Sequence, residues 1–405
     1  MFFRNKKIRI LFILLFTVGG SFAAMPPTNE KSDTTLARLN SKYGLVFAEP
    51  LDGKMDSSLI ALFNSHQFLR ASLTNILKPK KELILKLNGE NPASAELQNA
   101  LILNFKTDSG IQQIIADYEN LDLVQYAEPN FDLMLPEDEA ISAADSEKEE
   151  ASKIMPENEA GVLVAVIDSG VDGAHPDFGN RVISGWNFLE NTSQVIDQNG
   201  HGTHVAGIIL RNSAAAKIMP LKISDGDIGK MQELVRAIKF AADNGAQIIN
   251  LSLGLQSESK ILQEAIDYAD KKNVIVVAVA GNYRSGVEYY PAALPNVIAV
   301  SALKKNGEKL FWSNFGEWVD FSAVAQDVWS AAPDGQHAYR TGTSQAAPIV
   351  SAKIADILNG SNETRDFQQV YDYLVENSEP ITSQYELGRE IFKGKQTTRI
   401  IFNQE

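Results

Sequence analysis

Cysteine is absent from the 405 residues. Export would therefore bring this chain no disulfides, and stability has to come from a packed core. A lipid-modified cysteine at an export cleavage site is excluded for the same reason. Long apolar runs are scarce. The longest lies near the N-terminus, Ile10 to Val18, and is short for a membrane span. Positive charge is also in deficit: 37 Lys and Arg stand against 51 Asp and Glu, a net charge of -14. That balance argues against nucleic acid or an anionic membrane surface as a partner.

What is present begins with an address. Arg4, Lys6, Lys7 and Arg9 precede the apolar run, and Ser21-Phe22-Ala23 offers a small-x-small cleavage site. Residues 1–23 have the layout of a secretory signal peptide, which implies a secreted or periplasmic protein without stable membrane insertion. The competing reading is an uncleaved N-terminal anchor. Removing the signal takes away four positive charges and lowers the net charge to -18.

The remaining length suffices for one large domain and a smaller one. Met25 to Asn40 is polar and is expected to be loose. From there, 24–135 shows a strand at Tyr43 to Phe47 and helical spacing over Ser57 to Leu73. Alternating strands follow at Glu82 to Leu87 and Leu101 to Phe105. A helix covers Ser109 to Tyr118, and an extended stretch Leu123 to Leu135. The order βαββαβ predicts a small ferredoxin-like α+β domain. Residues 136–159 then lose periodicity and gather Glu137, Asp138, Glu139, Asp145, Glu147, Glu149, Glu150, Glu157 and Glu159, a solvated acidic linker open to proteolysis.

The chemistry sits in 160–405. Gly161 to Ile167 is almost wholly apolar, as a parallel strand buried on both faces requires, and it ends at Asp168-Ser169-Gly170. Gly200-His201-Gly202-Thr203-His204 opens a buried helix. Its His-x-x-His spacing lacks the i, i+4 pair and intervening glutamate of a helical zinc site, so no metal is assigned. His201 at the helix start suits an open site and His204 an interior one; His175 lies in a His-Pro-Asp turn, and His66 and His337 are isolated. Gly342-Thr343-Ser344 places a serine at the head of an alanine-rich helix, where unpaired N–H groups suit a developing oxyanion. Pro348 is expected within the first helical turn. Helices are also predicted over Lys230 to Asp243, Ser257 to Lys272 and Phe367 to Glu376, and an extended end over Thr398 to Phe402.

The chain order Asp168, His201, Ser344 is that of subtilisin. The segments VAVIDSGVD, HGTHVAG, INLSLG, AVAGN and GTSQAAP occur in register over about 160–358, and on them the sequence resembles the subtilisin-like serine proteases. The resemblance implies a three-layer α/β domain with a mostly parallel sheet. It also implies Asp168, His201 and Ser344 as catalytic residues, Asn282 as an oxyanion donor, and Ser252, Leu253 and Gly254 as a strand that receives substrate. The Glu128-Pro129-Asn130 stretch resembles the end of that family's inhibitory propeptide. Protein or peptide substrates and the chain's own propeptide are the implied partners.

The sequence departs from the pattern in four places. Arg211 to Ala216 is short where relatives carry a calcium loop, and Asp225 and Asp227 are too few to argue calcium, so no cofactor is assigned. Gln345 stands where methionine is usual. Tyr289 falls where a smaller residue commonly floors the P1 pocket, which points to a shallow or aromatic-lined pocket. Little chain separates the linker from the first strand. An esterase would want a Gly-x-Ser-x-Gly elbow and another residue order. A peptide-binding pseudoprotease would retain 24–135 without turnover.

Overall fold

The computed structural model describes residues 30–43, 45–51, 81–87, 100–105, 109–135, 139–142, 161–361, 365–380 and 399–401. The expected signal peptide, the helix over Ser57 to Leu73, His66 and most of the acidic linker lie outside these residues.

The N-terminal unit is an antiparallel sheet of β1 (Leu45–Pro50), β2 (Lys81–Leu87), β3 (Ala100–Phe105) and β4 (Val124–Pro129). The strands stand in the order β1-β3-β2-β4. Alternation along the strands splits the side chains between two faces. Leu83, Leu85, Leu101, Leu103 and Phe105 pack with helix α1 (Glu30–Tyr43) and helix α2 (Ile111–Glu119). Helix α1 corrects the expectation of a loose stretch over Met25 to Asn40. Its Leu36, Leu39 and Tyr43 share one face at helical spacing and are buried, and that contact outweighs its otherwise polar composition. The opposite face, through Ile84, Ile102 and Tyr126, joins the core of the larger domain.

That domain is built on a nine-stranded sheet. Its strands are β7 (Val162–Asp168), β8 (Trp186–Asn187), β9 (Ala216–Lys222), β11 (Ile248–Leu251), β12 (Ile275–Val279), β13 (Val297–Leu303), β14 (Phe321–Val324), β17 (Glu379–Pro380) and β18 (Arg399–Ile401). All pairings are parallel except that of β17 with β18. Helices cover both faces. α3 (His201–Asn212) and α6 (Thr343–Asn359) pack on one, α4 (Met231–Asp243) and α5 (Lys260–Asp270) on the other. β7 shows why its sequence is continuously apolar. Val162, Val164 and Val166 enter the core under α3 and α6, whereas Ala165 and Ile167 enter that under α4 and α5. β7 lies between β9 and β11, so the chain leaves it toward opposite sides of the sheet. Ligands of open α/β sheets bind at the carboxyl end of such a switch point, where Asp168 stands.

Helix α7 (Phe367–Glu376) and the strand β18 fall where the sequence pattern puts them. No helix among the described residues is long and apolar enough to cross a membrane.

Candidate active site

Asp168 ends β7 and is fully buried. Its Oδ1 accepts the Ser169 N–H at 2.8 Å and lies 2.7 Å from His201 Nδ1. His201 is the first residue of α3 and is itself 3% exposed. The approach of that helix depends on Gly202, because a Cβ there would stand 2.1 Å from the Gly170 carbonyl and 3.1 Å from Asp168 Cβ. Asp197, which the sequence analysis did not single out, locks the corner. It accepts from Ser169 Oγ at 2.9 Å, Gly200 N at 2.8 Å, and Thr203 N and Oγ1 at 2.8 and 2.6 Å. Lys222 Nζ holds the same loop from below, donating to the carbonyls of Ser169 at 2.7 Å and Ile196 at 2.9 Å. An aspartate a few residues ahead of an apolar helix was the available signal for Asp197.

Ser344 is the second residue of α6, in the turn whose N–H groups have no intrahelical acceptor. His201 at the start of α3 meets Asp168 at the end of β7, and Thr343 at the start of α6 meets Asn282 just after the parallel strand β12, so both helices begin at the carboxyl end of the sheet. Ser344 Oγ is buried and has no hydrogen-bond partner among the described residues. Asn282 follows β12, and its Oδ1 accepts from Thr343 N at 3.1 Å and Thr343 Oγ1 at 2.9 Å. With the oxygen so fixed, the amide NH₂ is turned away from Thr343.

Pro348 needs a correction. It is the sixth residue of α6 and lies beyond the first turn, so it deprives the Ser344 carbonyl of an i+4 donor. Ser252 Oγ takes that place, donating to Ser344 O at 3.2 Å. Asn250 donates to Ser252 Oγ at 3.1 Å and accepts from Ser351 Oγ at 2.9 Å, tying the end of β11 to α6. Ser252 therefore braces the serine turn with its side chain. Leu253 is fully buried, and Gly254 presents its backbone.

That backbone is engaged. Gly254 and Met134 exchange N–H···O bonds of 2.9 Å in both directions. The strand β5 (Asp132–Met134) also pairs antiparallel with β10 (Ile228–Lys230), and Leu135 N–H reaches the Asp227 carbonyl at 2.9 Å. The end of the N-terminal unit thus lies as an added strand between β10 and Gly254. Further along, β6 (Glu139–Ser142) pairs antiparallel with β16 (Gln336–Thr341), the strand that leads into Ser344. Tyr289 is 1% exposed, and its ring closes the space between two glycines. A Cβ at Gly254 would stand 2.4 Å from Tyr289 Cε1, and one at Gly281 3.1 Å from its Cδ1.

The remaining histidines sort by partner. His204 is fully buried, with Nε2 3.1 Å from the Ala338 carbonyl. His175 and His337, unrelated in the sequence reading, face one another with ring centroids 5.1 Å apart. Asp225 pairs with Lys222 at 2.9 Å, and Asp227 accepts from Asn199 Nδ2 at 3.1 Å.

A mostly parallel sheet between helix layers, with an aspartate–histidine pair at its switch point and a serine heading a neighbouring helix, defines a class of hydrolases acting by a serine nucleophile. Residues 159–390 match the profile of the subtilase family, Peptidase S8, and the chain belongs to that family of serine peptidases. A thermophilic serine proteinase of Bacillus sp. strain AK1 is 32% identical over 297 residues, covering 69% of this chain and 74% of that protein. Thermitase of Thermoactinomyces vulgaris is 37% identical over 210 residues, 49% of this chain and 75% of its own. Among solved structures, a cold adapted subtilisin-like serine proteinase matches with a TM-score of 0.56 at 27% identity, over 62% of this chain and 92% of that one. Fervidolysin from Fervidobacterium pennivorans, at 22% identity and a TM-score of 0.61 over 75% of this chain and 58% of its own, shares the fold.

Proposed function

We propose that this chain is an exported serine endopeptidase made as a self-inhibited zymogen. The 2.7 Å contact between His201 Nδ1 and Asp168 Oδ1, at the sheet's switch point, carries the catalytic part of this reading. Ser344 Oγ attacks the scissile carbonyl while His201 takes its proton. Asp168 keeps Nδ1 protonated and stabilises the imidazolium, and His201 then returns the proton to the departing amine. The acyl-enzyme that remains is hydrolysed by water through the same steps in reverse order. The Asn282 amide and the Ser344 N–H receive the oxyanion. As proposed, the chemistry draws on no cofactor.

Peptide substrates would add a strand between β10 and Gly254, gaining backbone hydrogen bonds that tolerate many sequences. Tyr289 would restrict the P1 pocket to small side chains. A peptide library would show this as preference for Ala or Ser over Phe at P1, and preference for Phe would refute it.

The inhibitory role of 24–135 is supported by the reciprocal Met134–Gly254 bonds, which occupy that strand position. Capping contacts add to it. Glu128 accepts from Ser259 Oγ at 2.6 Å and Lys260 N at 3.0 Å at the start of α5, and Asn130 accepts Gln232 N at 3.1 Å at the start of α4. Since Met134 bonds to Gly254 and Glu139 pairs with Thr341, which lies three residues before Ser344, the maturation cut is expected between Leu135 and Glu139. Intact masses of 24–405 and of its Ser344→Ala variant test all of this together. The expected result is a split in that window for the wild type and an uncut variant. A wild-type chain that stays whole, and that remains inactive on casein after limited trypsin treatment, would instead make the protein a peptide-binding pseudoprotease.

A further inference from the structure

The three-residue cluster of His175, Asp177 and His337 has no part in the reaction above. His175 caps the 3-10 turn Pro176–Phe178, and His337 is the second residue of β16. The ligand atoms of the three lie within 4.8 Å of one another, the sole such group among the described residues. His337 Nε2 is 2.6 Å from Asp177 Oδ2. His175 is 2% exposed, and its Nε2 stands 2.8 Å from the Gln336 carbonyl. A carbonyl only accepts, so Nε2 carries the proton and Nδ1 keeps its lone pair. That lone pair accepts the Asp177 N–H at 3.2 Å, a long capping bond that an incoming ion would displace. An imidazole that donates one ring N–H to a backbone carbonyl has the outer hydrogen bond by which metal-bound histidines are oriented. His337 is oriented too, stacked on Trp329 at 5.0 Å and 7°. The side chains of His337 and Asp177 are 29% and 51% exposed, which leaves an ion a path inward.

We propose that His175 Nδ1, the Asp177 carboxylate and His337 Nε2 bind one divalent transition ion of the zinc class, with water as a fourth ligand. Two imidazoles and one carboxylate suit Zn²⁺ and its neighbours, whereas Ca²⁺ and Mg²⁺ take oxygen-rich shells. Ligands about 2.0 Å from a tetrahedral ion stand about 3.3 Å apart. The close His337–Asp177 pair would open slightly and the wider separations contract, movements that the two partly exposed side chains can make. The ion would fasten the turn after β7 to the first residues of β16. That strand pairs with β6 on one side and runs directly into Gly342-Thr343-Ser344. The site is a clip between two segments that border the catalytic serine.

The test uses residues 24–405 carrying Ser344→Ala, so that the chain stays intact. Titration with Co²⁺ should give the visible d–d band of a four-coordinate site at one ion per chain, and Zn²⁺ should abolish the band. Calorimetry with Zn²⁺ on Asp177→Asn and His337→Gln, each checked for an unchanged circular-dichroism spectrum, should show affinity lower by at least about 10-fold. Asp177 is exposed enough that its variant is expected to fold normally. Lack of a cobalt band, Zn²⁺ affinity unchanged in both variants, or displacement of Co²⁺ by millimolar Ca²⁺ would each overturn the assignment.

Discussion

At Ser344 two backbone requirements compete. As the proposed nucleophile it needs a helix N-terminus for its oxyanion, yet Pro348 removes a hydrogen bond from the same helix one turn later. Ser252 resolves the conflict by donating to the Ser344 carbonyl. Ser252→Ala should therefore leave a buried carbonyl unsatisfied and destabilise the protein by about 1–3 kcal/mol, read from urea midpoints in a Ser344→Ala background. A change within error would show that the carbonyl finds another donor. In the proposed reaction Asn282 donates to the oxyanion. Asn282→Ala should lower kcat by roughly 10²–10³-fold with little change in KM, a magnitude established for a relative, subtilisin, and carried over here. Equal losses through KM would assign Asn282 to ground-state binding. The placements of Asp168, His201 and Ser344 were legible because the first ends a contiguous strand and the other two open contiguous helices. The Ser252–Ser344 bond was not, since it joins positions far apart and depends on where α6 starts. Asp197 was overlooked because it acts on backbone N–H groups and leaves no motif of its own.

Among the elements, α4 and α5 follow from their helical apolar spacing, and their apolar faces pack on the sheet. Their N-termini have a second use, as docking points for Asn130 and Glu128. A carboxylate at the start of a helix is favoured by both the open N–H groups and the macrodipole. Burial raises the Glu128 carboxyl above its ordinary range, against the lowering effect of its bonds to Ser259, Lys260 and Ile261. Glu128→Ala should lose about 0.5–2 kcal/mol of capping. If 24–135 is cut free as proposed, it would then leave sooner, which a shorter lag before casein hydrolysis would report; an unchanged lag would mean that β5 alone sets release. Elements with a strong pattern, the continuous apolar run of β7 and the helical spacing of α5 and α7, could be bounded from sequence within a few residues. Helix α1 could not, because few apolar residues mark its buried side. The β15 (Val328–Ala332) to β16 hairpin, which sets His337 beside His175, carries no simple alternation.

Across the whole molecule, the N-terminal sheet and the catalytic domain meet around a buried acid. Glu233 on α4 is 6% exposed, and its Oε1 accepts from Gln232 Nε2 at 2.6 Å. Gln232 in turn accepts from Asn130 Nδ2 at 3.1 Å, so one amide relay joins the acid to the N-terminal unit. Burial pushes the Glu233 carboxyl up from 4.5 to about 7; Gln232 and Arg236 oppose the shift, and Glu82 of β2 adds to it. The folded state thus holds a proton that the unfolded chain releases near pH 4.5. Its stabilising effect is complete below that pH and is lost as pH rises through 7. At about 1.36 kcal/mol per pH unit, the loss amounts to roughly 3 kcal/mol by pH 8. Asp320, raised to about 6 by burial, contributes in the same direction. Glu233→Gln keeps the size and the hydrogen-bonding ability while removing only its own titration. In the Ser344→Ala background, urea midpoints from pH 4.5 to 8 should fall less steeply for Glu233→Gln than for its parent, the two curves separating mainly between pH 5 and 7. The slope left in the variant would belong to Asp320, Glu128 and the remaining acids. Parallel curves would mean that Glu233 is ionised in the folded protein, with water or a rearranged Arg236 reaching the interface between the two units.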